Sequence, residues 1–210
     1  MTHAPTTWRN TTHDWAASVD QRHLAEVRER VAEFAPGGAL HLILEAMAYP
    51  AEEAASRGQG RCLVVLHRNG SVTVSDDGRG TDTRLRPDGT PVRKPVVATQ
   101  DLRFFAAASP PALPDGHPRR GMSVVAALSS RLVHVNRRQG GAWCQAYEHG
   151  IPVTGLESVD DDGTTGTTIT FVPDPAVHPG VADLGPELGL LTSWQNLEVE
   201  VADERPISRR

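Results

Sequence analysis

The Asn69-Gly70 dipeptide between two strand-like runs is the feature that most constrains the fold. Residues 62–67 are mostly apolar, and residues 71–75 alternate between polar and apolar side chains. Asn-Gly suits the left-handed backbone of a two-residue hairpin turn, so the two runs are expected to pair antiparallel. Residues 131–138 and 142–149 repeat this arrangement around a glycine turn. The chain is therefore expected to build its core on an antiparallel sheet.

Helical periodicity is clearest in the N-terminal part of the chain. Apolar side chains recur every three or four positions over residues 20–34 and 39–57, which predicts two helices. Asp20 is placed to cap the first helix, and Pro50 should kink the second or make it begin anew. The remaining expected elements are helices at 101–108, 122–130 and 184–191, strands at 167–172 and 197–201, and loops at 81–98 and 109–120.

This order of elements predicts an α+β fold. Hairpins joined to helices favour a two-layer sandwich, with a mixed, mostly antiparallel sheet and helices on one face. Alternating strand–helix–strand units are absent, so a dinucleotide-binding fold of the Rossmann type is not expected, and no Walker-type phosphate loop occurs.

Length and charge limit how many domains the chain can form and which classes of partner it can bind. We expect residues 1–18 to form a flexible arm, 19–205 a single domain and 206–210 a tail. Twenty-one basic against 26 acidic residues give a net charge of −5, which disfavours direct DNA binding by charge alone. The chain has neither a membrane-length apolar run nor a basic start followed by an apolar core, so we expect a cytoplasmic protein without a membrane partner.

Metal and disulfide chemistry are not expected from the sequence. Cys62 and Cys144 lie in apolar, strand-like stretches and are expected to be buried, reduced thiols. The histidines have no metal-ligand spacing on one face, and His41 and His149 are expected to serve packing or hydrogen bonding.

Three separated segments combine residues that can carry chemistry. Residues 41–45 and the pair Glu52-Glu53 share one helix, residues 76–80 read Asp-Asp-Gly-Arg-Gly directly after a strand, and residues 163–167 lead into another strand. Each segment alone is ordinary, because acidic helical positions are usually solvated and Asp and Gly suit turns.

In this order and spacing, however, the segments resemble the ATP-binding domain of gyrase B, the ATP-binding component of DNA gyrase, and of topoisomerase IV. That domain belongs to the GHKL superfamily, which has the Bergerat nucleotide-binding fold. Residues 63–80, 123–129, 145–150 and 190–197 also resemble gyrase B, so the similarity extends over roughly residues 24–205. The resemblance implies an ATP-binding domain of an ATP-hydrolysing DNA topoisomerase.

The resemblance implies an adenine pocket around one carboxylate. Asp76 matches the aspartate that accepts a hydrogen bond from the adenine amino group. Gly78 and Gly80 match glycines whose bare backbone approaches the purine, and Thr167 matches a threonine that helps hold the aspartate and a water on the adenine.

The resemblance also implies residues for ATP hydrolysis and for binding the phosphates. Glu45 matches the general base that activates the attacking water, if the domain is active. Arg79 and Glu53 match an ion pair at the pocket edge. Gly121 matches the last glycine of the lid whose backbone N–H groups hold the phosphates.

Several positions depart from the family pattern. Tyr49 replaces the asparagine that binds magnesium, and a protonated phenol is a poor ligand for a hard cation. Residues 116–121 read Gly-His-Pro-Arg-Arg-Gly in place of the glycine-rich lid. Arg119 and Arg120 could meet phosphates as charges or lie in a solvated loop. Cys144 replaces an arginine at the pocket mouth, and Thr81-Asp82 replaces Ile-Pro.

We therefore expect a stand-alone, degenerate gyrase-B-type domain. It should bind an adenine nucleotide such as ATP weakly, hold magnesium poorly, and act as a weak or inactive ATPase in a binding or regulatory role. The alternatives are an active ATPase subunit that needs a partner, a binder of gyrase-directed inhibitors such as aminocoumarins, and a scaffold that regulates a protein partner.

Overall fold

The computed structural model describes residues 19–81, 84–85, 91–92, 97–105, 109–139 and 141–206. The expected N-terminal arm and all of the expected tail except residue 206 lie outside these ranges. The helices are α1 (Gln21–Glu29), α2 (Val31–Phe34), α3 (Ala39–Arg57), α4 (Leu102–Phe105) and α5 (Met122–Ala127), with short 3-10 helices at Val181–Asp183 and Pro186–Thr192.

The strands form one large sheet and one small ladder. In chain order they are β1 (Gly60–Leu66), β2 (Val72–Asp76), β3 (Arg84–Leu85), β4 (Pro91–Val92), β5 (Ser129–Arg138), β6 (Gly141–Glu148), β7 (Ile151–Pro152), β8 (Glu157–Ser158), β9 (Gly166–Pro173) and β10 (Leu197–Asp203). The large sheet has the order β10-β1-β2-β9-β5-β6-β7, with β8 also paired to β6. Its pairs are antiparallel except β1 with β10, which is parallel.

The helices pack against the apolar face of this sheet. Along β1 the side chains of Cys62, Val64 and Leu66 are buried, while Arg61 and Leu63 are exposed. This alternation places every second side chain on the helix side. Helix α3 contacts β1, β2 and β10, and α5 contacts β5 and β6. The predicted α+β sandwich, with a mostly antiparallel sheet, is confirmed.

Local signals located the first helices, although the single helix expected over residues 20–34 is broken at Arg30 into α1 and α2. The Asp20 carboxylate accepts a hydrogen bond from the backbone N–H of His23 at 3.0 Å and so caps α1. Helix α3 has the predicted bounds, but it continues through Pro50 and does not begin anew there. Because α3 is largely buried, tertiary packing can offset the missing backbone hydrogen bond.

Other boundaries differ from the prediction. Helix α5 ends at Ala127, since β5 takes the chain into the sheet from Ser129. The helix expected at 184–191 is a 3-10 helix, and the loop expected at 81–98 contains the β3–β4 ladder. Cys62 is buried as expected, and burial raises the pKa of its thiol to about 12, but Cys144 is only half-buried.

Among the described helices, none combines the length and the apolar character that crossing a bilayer requires.

Candidate functional site

Strand register brings Asp76 and Thr167 together. Strands β2 and β9 are antiparallel neighbours with Ser75 opposite Thr168, so Asp76 at the end of β2 lies beside Thr167 at the start of β9. The Asp76 carboxylate accepts a hydrogen bond from the backbone N–H of Thr167, and its Oδ1 accepts another from Gly78 at 2.8 Å. Two backbone donors therefore fix the orientation of this acid.

Burial makes Asp76 an unusual carboxylate. Desolvation raises the pKa of Asp76 to about 6, although the N–H groups of Gly78 and Thr167 act in the opposite direction. At neutral pH the group is therefore mostly ionised, and it is a hydrogen-bond acceptor in a poorly solvated position. A ligand that donates an N–H there would make a charge-assisted hydrogen bond.

The turn after Asp76 has no room for side chains at its glycines. A Cβ on Gly78 would lie 2.6 Å from Asp76 Oδ1 and 2.7 Å from Glu53 Oε2. Gly80 has a φ of +74°, and a Cβ there would lie 2.4 Å from the Arg137 carbonyl oxygen. Carboxylate oxygens beside Gly78 and a backbone carbonyl beside Gly80 thus leave room only for glycine at both positions.

Asn136 on β5 was not predicted as a site residue. Its Oδ1 accepts from the backbone N–H of Thr81 at 2.5 Å, and its Nδ2 donates to the Thr81 carbonyl at 3.0 Å. It lies opposite Thr167 in the β5–β9 register. This paired amide holds the chain directly after Gly80. The sequence signal was a polar residue in an alternating strand, but its partner could not be identified without the register.

His134 lies two residues before Asn136 on the same face of β5. Its Nε2 is buried and has no hydrogen-bond partner in the described part of the chain. Burial lowers the pKa of His134 to about 4, so the imidazole is neutral at physiological pH. This side chain, too, was not singled out from the sequence.

Arg79 and Glu53 form the pair expected from the sequence. The backbone N–H and the Nε of Arg79 both donate to Glu53 Oε1 at 2.8 Å. The Arg79 side chain is 71% exposed, so the ion pair itself adds little stability. The backbone contact ties α3 to the turn after β2.

Glu45 lies fully buried on α3 and faces the chain before α5. Its Oε1 accepts from the backbone N–H of Arg120, and its Oε2 accepts from that of Gly121 at 2.8 Å. His41 Nε2 lies 3.6 Å from Oε1. Burial raises the pKa of Glu45, and His41 and the two N–H groups partly counter this effect. Both carboxylate oxygens are therefore engaged by the protein.

Tyr49 lies one turn further along α3. Its hydroxyl accepts from the Met122 N–H at 3.2 Å and donates to Asp101 Oδ2 at 3.5 Å. Burial raises the pKa of the phenol well above its usual value, so Tyr49 stays protonated. Gly121 packs closely here, because a Cβ on it would lie 2.9 Å from the Tyr49 hydroxyl.

Arg119 is buried beside Tyr49, with only 4% of its surface exposed. Its guanidinium lies 4.6 Å from the Tyr49 ring centroid and 4.4 Å from that of Phe104. It also donates to both carboxylate oxygens of Glu52, at 2.5 and 3.2 Å. The expected solvated loop is wrong for Arg119, because the side chain is buried and its charge is paired with Glu52.

The residues around Glu45 and Tyr49 do not fit a magnesium ion. A protonated phenol offers little to a hard cation, and the nearby carboxylates Glu52 and Asp101 are paired with Arg119 and Arg103. Across the described ranges, no group of three or more His, Cys, Asp or Glu side chains is arranged to hold a metal ion.

The known proteins that are similar to this chain include gyrase B proteins of bacteria and of a plant mitochondrion. The chain is 33% identical to the gyrase B protein of Mycolicibacterium smegmatis over 175 residues, which is 80% of this chain and 26% of that protein. It is 35% identical over 140 residues to gyrase B of Mycobacterium tuberculosis strain H37Rv, covering 67% of this chain and 21% of that protein. The mitochondrial gyrase B of Arabidopsis thaliana is 32% identical over 184 residues, or 80% of this chain and 25% of that protein.

No protein-family model matches the chain. The chain spans about a quarter of the length of the curated relatives that it matches. The similarity nevertheless covers most of the chain at about one-third identity in several relatives. The chain is thus homologous to gyrase B over most of its length and forms a gyrase-B-like domain.

Proposed function

We propose that this domain is a binding module that holds the adenine of a nucleotide and hydrolyses ATP poorly or not at all. The observation that carries the proposal is the half-buried Asp76 carboxylate, oriented by the backbone N–H groups of Gly78 and Thr167. The exocyclic amine of adenine is the kind of donor that such an acceptor needs.

The geometry around Asp76 supports recognition of a flat heterocycle. Gly78 and Gly80 bring no side chain to the turn beside the acid, and protein atoms already fill the space that a Cβ would take at both positions. A flat ring would lie against this packed turn. Asn136 holds the following residue, Thr81, in place by two hydrogen bonds. A pocket that needs no rearrangement before binding loses less free energy to ordering.

The geometry around Glu45 supports the proposal that the domain hydrolyses ATP poorly or not at all. A general base must reach the proton of the attacking water, at a heavy-atom distance of about 2.6–3.2 Å. Both Glu45 oxygens instead accept backbone N–H groups, and the side chain is fully buried. Without a fitting magnesium site, the charge that develops on the phosphates also lacks its usual counterion. Loss of several kcal/mol of such stabilisation slows turnover by far more than about tenfold.

The proposal is tested by calorimetric titration with ATP, with and without magnesium, together with a phosphate-release assay. We expect measurable binding that magnesium does not strengthen, and turnover close to the background rate. Turnover that depends on magnesium and matches intact gyrase B would refute the proposal.

A second candidate function is a protein-interaction module. The extensive internal pairing of Glu45, Tyr49 and Arg119 favours it, because these side chains serve as structure in this domain. Asp76→Asn separates the two candidates: ligand binding should be lost, while contact with a protein partner should survive. The same pocket would accept gyrase-directed inhibitors that donate a hydrogen bond to Asp76.

A further inference from the structure

A row of polar side chains on α3 is paired with the chain that leads into α5. His41, Glu45, Tyr49 and Glu52 are spaced four, four and three residues apart, so they share one face of the helix. We call these four residues the α3 polar stripe. Each of them has a hydrogen-bond partner in segment 115–122: Asp115 for His41 at 2.7 Å, Arg120 and Gly121 for Glu45, Met122 for Tyr49, and Arg119 for Glu52.

The backbone donors of this segment are already occupied. The N–H groups of Arg120 and Gly121 both bind the buried carboxylate of Glu45. An anionic ligand could use these donors only by displacing Glu45, which would leave a buried carboxyl group without its hydrogen-bond partners. An unsatisfied buried polar group is unfavourable, so the protein's own carboxyl group competes with a phosphate at this place.

Two of the three arginines described in this region are paired with carboxylates. Arg119 is buried between two aromatic rings and bound to Glu52. Arg103 Nη2 lies 2.7 Å from Asp101, and its Nη1 lies 3.2 Å from Glu52. The Arg120 guanidinium lies over the Phe105 ring, 5.8 Å from its centroid.

Among the described residues, four carboxylates belong to the α3 polar stripe or lie beside it: Glu45, Glu52, Asp101 and Asp115. They face three arginines: Arg103 and Arg119, which pair with these carboxylates, and Arg120, which lies over a ring. The carboxylates offset the attraction that the arginines would offer a triphosphate, so the phosphate groups gain no net favourable contact here.

We infer that recognition in this module ends at the nucleoside, so that adenosine binds as tightly as its mono-, di- and triphosphates and magnesium has no effect. This inference rests on the proposed function, because it concerns the same pocket. The ligand class is an uncharged purine or a compound with a similar ring.

The test is calorimetric titration of the full chain with adenine, adenosine, AMP and ATP, each with and without magnesium. We expect the dissociation constants of adenosine, AMP and ATP to agree within about threefold. ATP binding more than about tenfold tighter than adenosine would overturn the inference and leave the proposed function standing. Failure of all four compounds to bind would overturn the inference together with the proposed function.

Two variants sharpen the test. Glu45→Gln keeps the size of the side chain but leaves only one acceptor oxygen for the N–H groups of Arg120 and Gly121, so one donor is released and ATP should gain about fivefold over adenosine. Glu198→Gln, on the distant strand β10, is the matched control and should leave the ratio unchanged. Arg120→Ala should leave ATP affinity unchanged, and a selective loss of ATP binding in this variant would show that Arg120 holds a phosphate and contradict the inference. If Glu45→Gln fails to fold, the Arg120 variant and the nucleotide series in the unaltered chain still test whether recognition ends at the nucleoside.

Discussion

The two ends of the candidate site are built in different ways. At the Asp76 end, strand register and backbone N–H groups place one carboxylate beside bare glycines. At the Glu45 end, side chains of α3 are bound to segment 115–122. The first end offers an acceptor to a ligand, and the second satisfies its polar groups internally.

On our proposal, this difference lets one half of the site change while the other is kept. The Asp76 end depends on the β2–β9 pairing, so altering it would disturb the sheet. The Glu45 end depends on side chains such as Tyr49 and Arg119, which single substitutions can introduce. On our proposal, the domain has kept its adenine contacts for this reason and turned its phosphate contacts into structure.

The largest expected effect concerns the glycines of the Asp76 end. Gly80→Ala should lower the free energy of unfolding by about 3–4 kcal/mol, because left-handed backbone strain adds to a clash with the Arg137 carbonyl oxygen. Gly70→Ala is the matched control: its φ is +82°, but nothing lies within 4 Å of the new Cβ, so only about 1 kcal/mol is expected. Urea unfolding measures both, and equal losses would contradict the crowding at Gly80.

Removing Arg119 tests whether the two ends are independent. Arg119→Ala should lower the free energy of unfolding by about 2–3 kcal/mol, since the ion pair with Glu52 and two ring contacts are lost. Arg68→Ala, at an exposed position, should cost almost nothing. Adenosine affinity should not change in either variant, and its loss with Arg119→Ala would show that the two ends are coupled.

Asp76→Asn tests the adenine end directly. Adenosine affinity should fall about 30-fold, which corresponds to one hydrogen bond to a charged group. The exposed neighbour gives the control, because Asp77→Asn should leave affinity unchanged. Calorimetry compares the two variants, and similar affinities would remove Asp76 from the binding site.

Tyr49→Phe has a smaller expected effect. The Met122 N–H loses its acceptor, so the free energy of unfolding should fall by about 1 kcal/mol. Thermal unfolding measures the change. A loss of magnesium-dependent ATP binding in this variant would instead make the hydroxyl a functional ligand.

The smallest effect is the pH dependence of binding. Because the pKa of Asp76 is raised to about 6, its carboxylate becomes protonated between about pH 7.5 and 5.5, and adenosine affinity should fall about fourfold. The stability contribution of this raised pKa runs the other way: it is present below the unfolded value of 3.8 and is lost as pH rises through about 6. Asp76→Asn should abolish both trends, and their persistence would assign them to another group.

The sequence predicted what depends on local or periodic signals. Asp20 as a cap, the hairpin around Asn69-Gly70 and the bounds of α3 all follow from residue type and spacing. It could not predict the parallel pairing of β10 with β1 or the end of α5 at Ala127, because tertiary contacts decide both. The resemblance placed Asp76 and Thr167 in one pocket, and the register brings them together.

The Glu45 end was harder to read from sequence. Tyr49 and the altered segment 116–121 were visible as departures, but their partners were not. The bonds from Glu45 to Arg120 and Gly121 join residues about 75 positions apart, and no local pattern predicts them. Asn136 and His134 were missed for the same reason, since a polar residue in a strand does not reveal what it faces.

On our proposal, a ligand contacts the Asp76 end and leaves the hydrogen bonds of Glu45 with Arg120 and Gly121 intact. Nitrogen–proton correlation NMR of the labelled chain, titrated in parallel with adenosine and ATP, tests it residue by residue. We predict that the amide signals of Gly78 and Thr167 shift with both ligands, while those of Arg120 and Gly121 stay in place. Shifts at Arg120 and Gly121 with ATP but not with adenosine would contradict the claim, because they would show phosphates displacing Glu45.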